Sequence, residues 1–340
     1  MITMEERYIK QINFQGIGIE GQALLKKSKV LVVGCGALGT VVVNNLARIG
    51  VGYLRIVDRD FVELSNLHRQ ILFDEEDVKE SMPKAEAAAK KLRKINSTIE
   101  IDSIIKDVNS VTIEKLAEDM DIILDCTDNF KTRYLINDIA FAKKIPWIYG
   151  GAIGSAGTMK TFLPGEGPCL RCMMETPPPI GSTPTCDTAG VINTATGIVA
   201  MFQTNEAIKY LTNHKEDIDR NLLFIDLWEN SVEKIELVKK EECPCCGKQE
   251  YNYLENKTPE AVHICGNNSV QVDFQNTPIK LSSLYERLNA AGLEVKLTPF
   301  LLNLKVEGYD MKIFDDGRAI IKNAKTIEEA KSVYAKYIGY

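Results

Sequence analysis

Short apolar runs alternate with stretches of helical spacing along the first half of the chain. Residues 29–58 read as an apolar run, a glycine-rich turn, a helix-length stretch and a second apolar run. Such runs are typical of buried parallel strands, and their alternation with helices indicates β-α-β units. Apolar runs at 99–105, 120–126 and 145–154 continue the pattern, with a helical segment over 84–95. We therefore predict an α/β fold with a Rossmann-like, mostly parallel sheet and helices on both faces.

Residues 165–184 interrupt this pattern, because they are rich in Gly, Pro and Thr and show no periodicity. We expect an exposed, mobile loop there. A long buried helix is predicted over 189–211, followed by two strands at 222–228 and 232–238.

The composition changes near residues 248–259, and this change predicts a linker. The chain then divides into a domain over residues 1–250 and a small module over 251–340. In the module, the hydrophobic pattern predicts a strand, a helix, three strands and a final helix. We interpret it as a small α+β fold.

Length and charge restrict the class of protein. The chain has 340 residues, 45% of them hydrophobic and 26% charged, which is typical of a globular protein with more than one domain. Lys and Arg number 41 against 47 Asp and Glu, so neither nucleic acid nor a membrane surface is an expected partner. The first residues lack the apolar core of a signal peptide, and the uncharged stretches at 30–47 and 188–205 contain Gly and Asn. We expect a cytoplasmic protein without membrane spans.

A glycine-rich turn follows the first predicted strand. Gly34, Gly36 and Gly39 form the pattern G-x-G-x-x-G between a strand and a helix, where backbone N–H groups and the helix dipole favour phosphate. Asp58 ends the next strand, where a carboxylate can accept hydrogen bonds from ribose hydroxyls. The pattern predicts a nucleotide site and leaves NAD, FAD and ATP open. The alternative is that these glycines only pack a helix on a strand.

Three charged residues at the same predicted edge of the sheet favour a nucleotide whose phosphoanhydride is broken. Arg69 and Lys84 are candidate cations for the phosphates, and Asp128 is a candidate magnesium ligand. Each would be an ordinary surface charge by itself, but their common position at the strand ends favours a site. An NAD-dependent oxidoreductase is the alternative from another class, and it would not need these three residues together.

Nine cysteines are an unusual number for a reducing compartment. Four of them form two C-x-x-C pairs, Cys169 with Cys172 and Cys243 with Cys246, a spacing that predicts a closed, structural zinc site. Cys245 is another possible ligand in the second pair. The alternative is a set of buried thiols without metal.

Cys186 lies at the end of the predicted loop, just before the long helix. A thiol near a helix N-terminus tends towards a lower pKa and greater nucleophilicity, whereas the adjacent Asp187 opposes thiolate formation. Cys186 is therefore a candidate reactive thiol, and an inert loop cysteine is the alternative.

The resemblance to a known family rests on several segments taken together. ERYIKQ, VLVVGCGALG, IVDRDFVELSNLHRQ, LDCTDNFKTRYLIND, CDTAGV and CPCCG resemble the ThiF/MoeB/HesA family, bacterial relatives of ubiquitin-activating enzymes. The resemblance implies a zinc-braced fold of the ubiquitin-activating-enzyme type. It also implies ATP-dependent adenylation of the C-terminal glycine of a small ubiquitin-like sulfur carrier protein that ends in Gly-Gly, with release of pyrophosphate.

The resemblance leaves the pathway open. A ThiS-like carrier, whose thiocarboxylate serves thiamin thiazole biosynthesis, is the first interpretation. A MoaD-like carrier for molybdopterin synthesis, or a carrier specific to another pathway, is the alternative. A cysteine desulfurase is the implied sulfur donor.

The resemblance also implies roles for single residues. Asp58 holds the ribose, Lys84 steadies the triphosphate and Asp128 binds magnesium. Cys186 matches the family's thiol, which can link covalently to the carrier. The implied catalytic residues are Arg69, Lys84, Asp128 and Cys186, and the implied nucleotide contacts are Gly34, Gly36, Gly39, Asp58, Asn66, Arg69, Gln70, Lys84, Asp128 and Asn129.

A homodimer is implied as well, in which an N-terminal arginine of one protomer reaches the ATP site of the other. Lys10 replaces that arginine in RYIKQ, which keeps the charge but loses the bidentate fork. The tail lacks the cysteine-centred loop of a rhodanese, so we expect no sulfur transfer from it.

Overall fold

The chain forms two compact units, residues 1–257 and 258–340, each with its own sheet. The computed structural model describes residues 4–179, 182, 186–255, 261–264, 269–273 and 278–339.

The first unit is built on an eight-stranded sheet in the order β3-β2-β1-β4-β5-β6-β7-β8. Its strands are β1 (Lys29–Val33), β2 (Tyr53–Val57), β3 (Glu100–Ile104), β4 (Ile122–Asp125), β5 (Trp147–Ile153), β6 (Ala156–Phe162), β7 (Leu222–Asp226) and β8 (Ser231–Ile235). β1 to β5 pair in parallel, whereas β6, β7 and β8 extend the sheet from β5 in antiparallel fashion. The predicted Rossmann-like, mostly parallel sheet is confirmed, and β1 to β5 form its parallel part.

Helices connect and cover these strands. They are α1 (Met4–Ile12), α2 (Gly18–Lys27), α3 (Ala37–Ile49), α4 (Glu75–Lys79), α5 (Lys84–Ile95), α6 (Ile113–Leu116), α7 (Phe130–Lys143), α8 (Leu170–Met173), α9 (Cys186–Ala189), α10 (Asn193–Leu211) and α11 (Asn252–Glu255). Among the described residues, no helix is long and apolar enough to cross a membrane.

The long helix α10 packs against α3, β5 and β6. It begins four residues later than predicted, because Gly190 adopts a positive φ of 71° and separates it from α9. β6 was missing from the prediction because Gly157 and Lys160 interrupt its apolar residues. A Cβ on Gly157 would lie 2.2 Å from Val199 Cγ2, so the glycine permits α10 to pack closely on this strand.

α1 lies at the amino ends of the parallel strands. Asn96, which follows α5, donates hydrogen bonds from Nδ2 to Tyr8 Oη at 2.8 Å and to the carbonyl of Ala47 at 2.7 Å. A Cβ on Gly50, which ends α3 with φ of 87°, would lie 2.5 Å from the Tyr8 ring. The glycine therefore leaves space for the aromatic ring that fastens α1 to the sheet layer.

The first unit extends beyond the predicted boundary at residue 250, since α11 packs against α7. The Tyr253 N–H donates to Asp138 Oδ2 at 2.9 Å, and Arg171 Nη1 donates to Asn252 Oδ1 at 3.1 Å. The Tyr253 ring also lies 4.9 Å from the ring of Tyr134, centroid to centroid. These contacts hold residues 251–255 in the first unit.

The second unit is a six-stranded antiparallel sheet in the order β11-β12-β13-β14-β10-β9, with two helices. Its elements are β9 (Ala261–Ile264), β10 (Ser269–Val272), α12 (Leu281–Ala290), β11 (Glu294–Leu297), β12 (Leu302–Val306), β13 (Tyr309–Ile313), β14 (Ala319–Lys322) and α13 (Ile327–Tyr337).

Two strands of this unit precede α12 and four follow it, where one and three were predicted. The apolar run after α12 is divided by a turn at Thr298, whose N–H donates to the carbonyl of Leu301 at 2.9 Å. The Thr298 hydroxyl accepts the Leu301 N–H in return, at 3.1 Å. Cys265, between β9 and β10, lies outside the described residues.

Candidate nucleotide site and metal centre

The glycine turn lies between β1 and α3, at the carboxyl ends of the parallel strands. Gly34 has a φ of 90°, and a Cβ there would lie 2.7 Å from the carbonyl oxygen of Cys126. A Cβ on Gly39 would lie 2.1 Å from the carbonyl oxygen of Gly34. Gly36 begins α3, and a Cβ there would meet only Gln70 Nε2, at 3.9 Å. Packing therefore accounts for Gly34 and Gly39, while Gly36 leaves the open side of the turn accessible to a phosphate.

Asp58 fixes this turn from the end of β2. Its carboxylate accepts the Cys35 N–H at 2.6 Å and the Asp60 N–H at 2.7 Å, one on each oxygen. Burial raises the pKa of Asp58, and the positive charge of Lys84 partly offsets this rise. A carboxylate has about four acceptor positions, so Asp58 keeps lone pairs for ribose hydroxyls.

Lys84 is the first residue of α5 and is 7% exposed. Its Nζ lies 3.1 Å from Asp60 Oδ2. Burial by itself would lower the pKa of Lys84, but the carboxylates of Asp60, Asp58 and Asp128 raise it above its ordinary value. Lys84 is therefore a buried ammonium group that stays protonated at physiological pH. Asp60 was missed in the sequence, although its position two residues after Asp58 was a signal.

Asn66, Arg69 and Gln70 lie in the loop after β2, and Asn66 ends a short 3-10 turn (Leu64–Asn66) within that loop. Arg69 donates from Nη2 to Asn66 Oδ1 at 3.0 Å and from Nη1 to the Ser65 carbonyl at 3.1 Å. Gln70 is 3% exposed, and its Oε1 has no hydrogen-bond partner among the described residues. The loop brings Gln70 against Gly36 of the glycine turn, with a buried acceptor available there.

Asp128 and Asn129 lie between β4 and α7. Asp128 is exposed. Asn129 caps α7, because its Oδ1 accepts the Thr132 N–H at 2.9 Å. The cap occupies the Asn129 oxygen and leaves its Nδ2 for a nucleotide.

Arg133, one turn into α7, was also missed in the sequence. It is 7% exposed, and its Nη2 donates to the carbonyls of Thr127 and Gly150 at 2.8 and 3.1 Å. Its Nε lies 3.4 Å from Oδ2 of the fully buried Asp125. No local pattern indicates this role, because it depends on β5 lying beside β4.

Lys10 is exposed on α1 and does not join these residues within one chain. α1 contacts Asn96, which follows the last residue of α5, whereas Lys84 is the first residue of that helix. At about 1.5 Å per residue, a helix of 12 residues separates the two ends of α5 by about 18 Å. Lys10 therefore lies at the opposite edge of the sheet from the glycine turn.

A cluster of four thiols brings the two C-x-x-C pairs together. The Sγ atoms of Cys169, Cys172, Cys243 and Cys246 all lie within 4.8 Å of one another. Four sulfurs bound to zinc at about 2.3 Å would lie about 3.8 Å apart, so the cluster fits a tetrahedral zinc ion. Cys245 is not part of the cluster, and its Sγ accepts a hydrogen bond from Asn137 Nδ2 at 3.1 Å. The geometry therefore favours Cys243 and Cys246 as the ligands from the second pair, which stays a prediction.

Asn137 on α7 connects the two pairs. Besides donating to Cys245, its Oδ1 accepts the N–H of Leu170, which follows Cys169, at 3.0 Å. Asn137 therefore holds the chain beside Cys169 and, through Cys245, the segment that carries Cys243 and Cys246. The thiol cluster is thus attached to α7, the helix that directly follows Asp128 and Asn129.

Cys186 is the first residue of α9, and the predicted role of its thiol stays a prediction. Of the loop predicted over 165–184, residues 180–181 and 183–184 lie outside the described part of the chain.

The fold and the site define an α/β protein with a candidate nucleotide site and a cluster of four thiols that could hold a metal ion. The chain belongs to the ThiF family, whose model matches residues 8–245. The predicted family resemblance is confirmed. The chain is 42% identical over 341 aligned positions to "Sulfur carrier protein ThiS adenylyltransferase" of Bacillus subtilis (strain 168), covering 99% of this chain and 100% of that protein.

Two further proteins are also similar to this chain. "SAMP-activating enzyme E1" of Haloferax volcanii is 36% identical over 75% of this chain and 93% of its own length. Among solved structures, E. coli MccB with ATP is 25% identical, with a TM-score of 0.63 over 71% of this chain and 74% of that one. The similarity to MccB covers a region about the size of the first unit.

Proposed function

We propose that this protein adenylates the C-terminal glycine of a small, ubiquitin-like, ThiS-like sulfur carrier protein. The observation that carries the proposal is the set of polar and charged side chains that lie near Gly36. Asp58 accepts the Cys35 N–H of the glycine turn, Gln70 lies against Gly36, and Lys84 lies close enough to Asp58 and Asp128 for their charges to raise its pKa. The similarity over nearly the whole chain to a ThiS adenylyltransferase supports the same activity.

In the proposed reaction the carrier's terminal carboxylate attacks the α-phosphate of ATP. An acyl-adenylate forms, the bond between the α- and β-phosphates breaks, and pyrophosphate leaves with its electron pair. Asp58 accepts hydrogen bonds from the ribose hydroxyls, and the N–H groups at the start of α3 face the phosphates. Lys84 and Arg69 stabilise the charge that develops on the phosphates. Asn66, Gln70 and Asn129 orient the nucleotide.

Asp128 is proposed to hold Mg²⁺, which when bound neutralises the phosphate oxygens and favours departure of pyrophosphate. An exposed carboxylate that faces a buried ammonium group suits this role, because the ion and Lys84 can share the phosphate charge. The four-cysteine centre is proposed to hold Zn²⁺ in a structural role, since four thiolates leave no open coordination position.

The position of α1 supports a homodimer in the proposal. Lys10 lies at the far edge of its own sheet, so it can contact a phosphate only in a second protomer. We also propose that Cys186 receives the activated carrier during sulfur transfer, with a cysteine desulfurase as donor. The reducing cytoplasm is the proposed location, where the cysteines remain available for zinc and for sulfur chemistry.

Carrier-dependent exchange of labelled pyrophosphate into ATP tests the proposal. Exchange with a ThiS-like carrier ending in Gly-Gly is expected, and a carrier without its last glycine is the matched control. Asp128→Asn is expected to abolish exchange and to leave the melting temperature unchanged, because Asp128 is exposed. Absence of exchange with every Gly-Gly carrier would overturn the proposal.

The same assay distinguishes the candidate pathways, and it separates adenylation from the later formation of the thiocarboxylate. A MoaD-like carrier that supports faster exchange than a ThiS-like one would point to molybdopterin synthesis. Cys186→Ser is expected to keep exchange and to lose only thiocarboxylate formation. Stabilisation by NAD instead of Mg·ATP in a thermal shift measurement would favour the oxidoreductase alternative.

A further inference from the structure

β4 and β5 stop pairing just before the candidate site. Only two register pairs join them, Ile123 with Trp147 and Leu124 with Ile148. Beyond this point two buried side chains bridge the strands. Gln203 Nε2 donates to the carbonyls of Asp125 and Ile148 at 2.8 and 3.2 Å. Arg133 makes the next bridge. Its Nη2 donates to the carbonyl of Thr127, which follows β4, and to the carbonyl of Gly150 on β5.

Asp125 and Arg133 together also hold the backbone of Thr127. Asp125 Oδ1 accepts the Thr127 N–H at 3.0 Å and the Thr127 hydroxyl at 2.6 Å, while the other oxygen of Asp125 faces Arg133 Nε. Arg133 in turn binds the Thr127 carbonyl. Both polar groups of the Thr127 backbone are therefore held by one buried ion pair, and the next residue in the chain is Asp128.

The surroundings of Arg133 keep its guanidinium group in place. Its central carbon lies 5.0 Å from the centroid of the Tyr149 ring, in cation–π contact. Burial by itself would lower the pKa of Arg133, but Tyr149, Asp125 and Asp128 raise it. The guanidinium is thus permanently charged, although the Arg133 side chain is only 9% exposed. It attracts the Asp128 carboxylate.

We propose that Arg133 is a positioning residue for Asp128. It fixes the Thr127–Asp128 turn against β5 and thereby holds the Asp128 carboxylate in position for Mg²⁺. This inference rests on the proposed function and deepens it. A lysine keeps the charge but lacks the planar fork needed to bind two carbonyls and face a carboxylate together.

The test compares Arg133→Lys with Arg55→Lys in the full-length protein. Arg55 on β2 is a matched control, because it faces Asp102 at 3.1 Å, donates to the Leu116 carbonyl at 2.9 Å and lies 5.5 Å from the Tyr53 ring centroid. The readout is the Mg²⁺ concentration that gives half-maximal ATP binding by calorimetry, measured without carrier. Arg133→Lys is expected to raise it about tenfold, and Arg55→Lys is expected to leave it unchanged.

Pyrophosphate exchange provides the second readout. Arg133→Lys is expected to lower kcat for exchange about 10–100-fold with little change in the KM for the carrier. In the calorimetric titration, the double variant with Asp128→Asn is expected to need no more Mg²⁺ than Asp128→Asn by itself, because both changes remove one function.

Three outcomes would overturn the inference. The first is an unchanged Mg²⁺ requirement in a folded Arg133→Lys variant, and the second is a fully additive double variant. The third is equal loss in both arginine variants, which would indicate a merely structural role. If wild-type protein binds Mg·ATP but supports no exchange, the proposed function fails while the calorimetry still decides the role of Arg133. Wild-type protein that binds no Mg·ATP would overturn both.

Discussion

Lys84 and Asp60 are joined by two hydrogen bonds, one between their side chains at 3.1 Å and one from the Lys84 N–H to the Asp60 carbonyl at 2.9 Å. The two bonds attach the start of α5 to the segment after β2. A buried ammonium group requires such a partner, because transfer of an unpaired charge from water is costly. The position of Lys84 is therefore set by the fold before a nucleotide binds.

Lys84→Met is expected to lower pyrophosphate exchange by about 10²–10³-fold, because it removes one charged donor from the phosphates. Asp60→Asn leaves the Lys84 charge and removes its ionic partner, so we expect a smaller loss of about tenfold. Steady-state exchange assays measure both. Lys84→Met should keep its melting temperature within a few degrees, since the Asp60 side chain is 42% exposed and stays hydrated, whereas Asp60→Asn removes the ionic partner of a buried ammonium group and should lower the melting temperature. Equal losses in the two variants would contradict this ranking.

Gly39→Ala and Gly36→Ala are expected to fail in different ways. The Gly39 methyl group would collide with the Gly34 carbonyl oxygen at 2.1 Å, so this variant should be destabilised by about 2–4 kcal/mol. The Gly36 methyl group fits the folded chain but occupies the open side of the turn. That variant should keep its stability and lose ATP affinity. Urea unfolding and calorimetric ATP titration check the pair, and a stable Gly39→Ala variant with normal ATP affinity would contradict the packing argument.

Cys172→Ser is expected to reduce the zinc content below one ion per chain and to lower the melting temperature, because a closed four-thiolate centre loses one ligand. Cys245→Ser is the matched control, because Cys245 is a buried thiol beside the cluster and not part of it, and this variant should retain the metal. Elemental analysis after dialysis against a chelator measures the difference. Zinc loss from Cys245→Ser and not from Cys246→Ser would show that the ligand assignment is wrong.

Lys160 on β6 is expected to make the free energy of unfolding depend on pH in the alkaline range. Burial lowers the pKa of Lys160 to about 8 from an ordinary value of 10.5, although Asp219 and Glu206 partly oppose this. Between pH 8 and pH 10.5 the unfolded chain then binds a proton that the folded chain does not, so this group makes the free energy of unfolding rise with pH. Lys160→Met should remove that rise. Parallel pH profiles of the two proteins in urea unfolding would contradict the assignment.

The sequence predicts those parts of the site that depend on local order along the chain. G-x-G-x-x-G, Asp58 and the start of α5 are each adjacent to an apolar run, and the carboxyl ends of parallel strands meet at one edge. Asp60 was missed although it is local, because an acid beside a predicted acid reads as surface charge.

Other residues could not be predicted from one segment at a time. The roles of Arg133, Gln203 and Asn137 arise from strands or loops distant in sequence, and the apolar runs do not encode which strand lies beside which. The Thr298 turn was missed for a related reason, since the residues on both of its sides are equally apolar.

The contacts of α11 decide where the chain can be cut. A truncated protein ending at residue 250 would lose the Tyr253 N–H from the buried Asp138 carboxylate and the Asn252 side chain from the buried Arg171 guanidinium. It would also expose the face of Tyr134 that Tyr253 covers. A truncated protein that ends at residue 257 would retain all three contacts. Limited proteolysis of the intact protein should therefore yield a persistent fragment that includes α11, and gene truncations that omit this helix should produce aggregating protein.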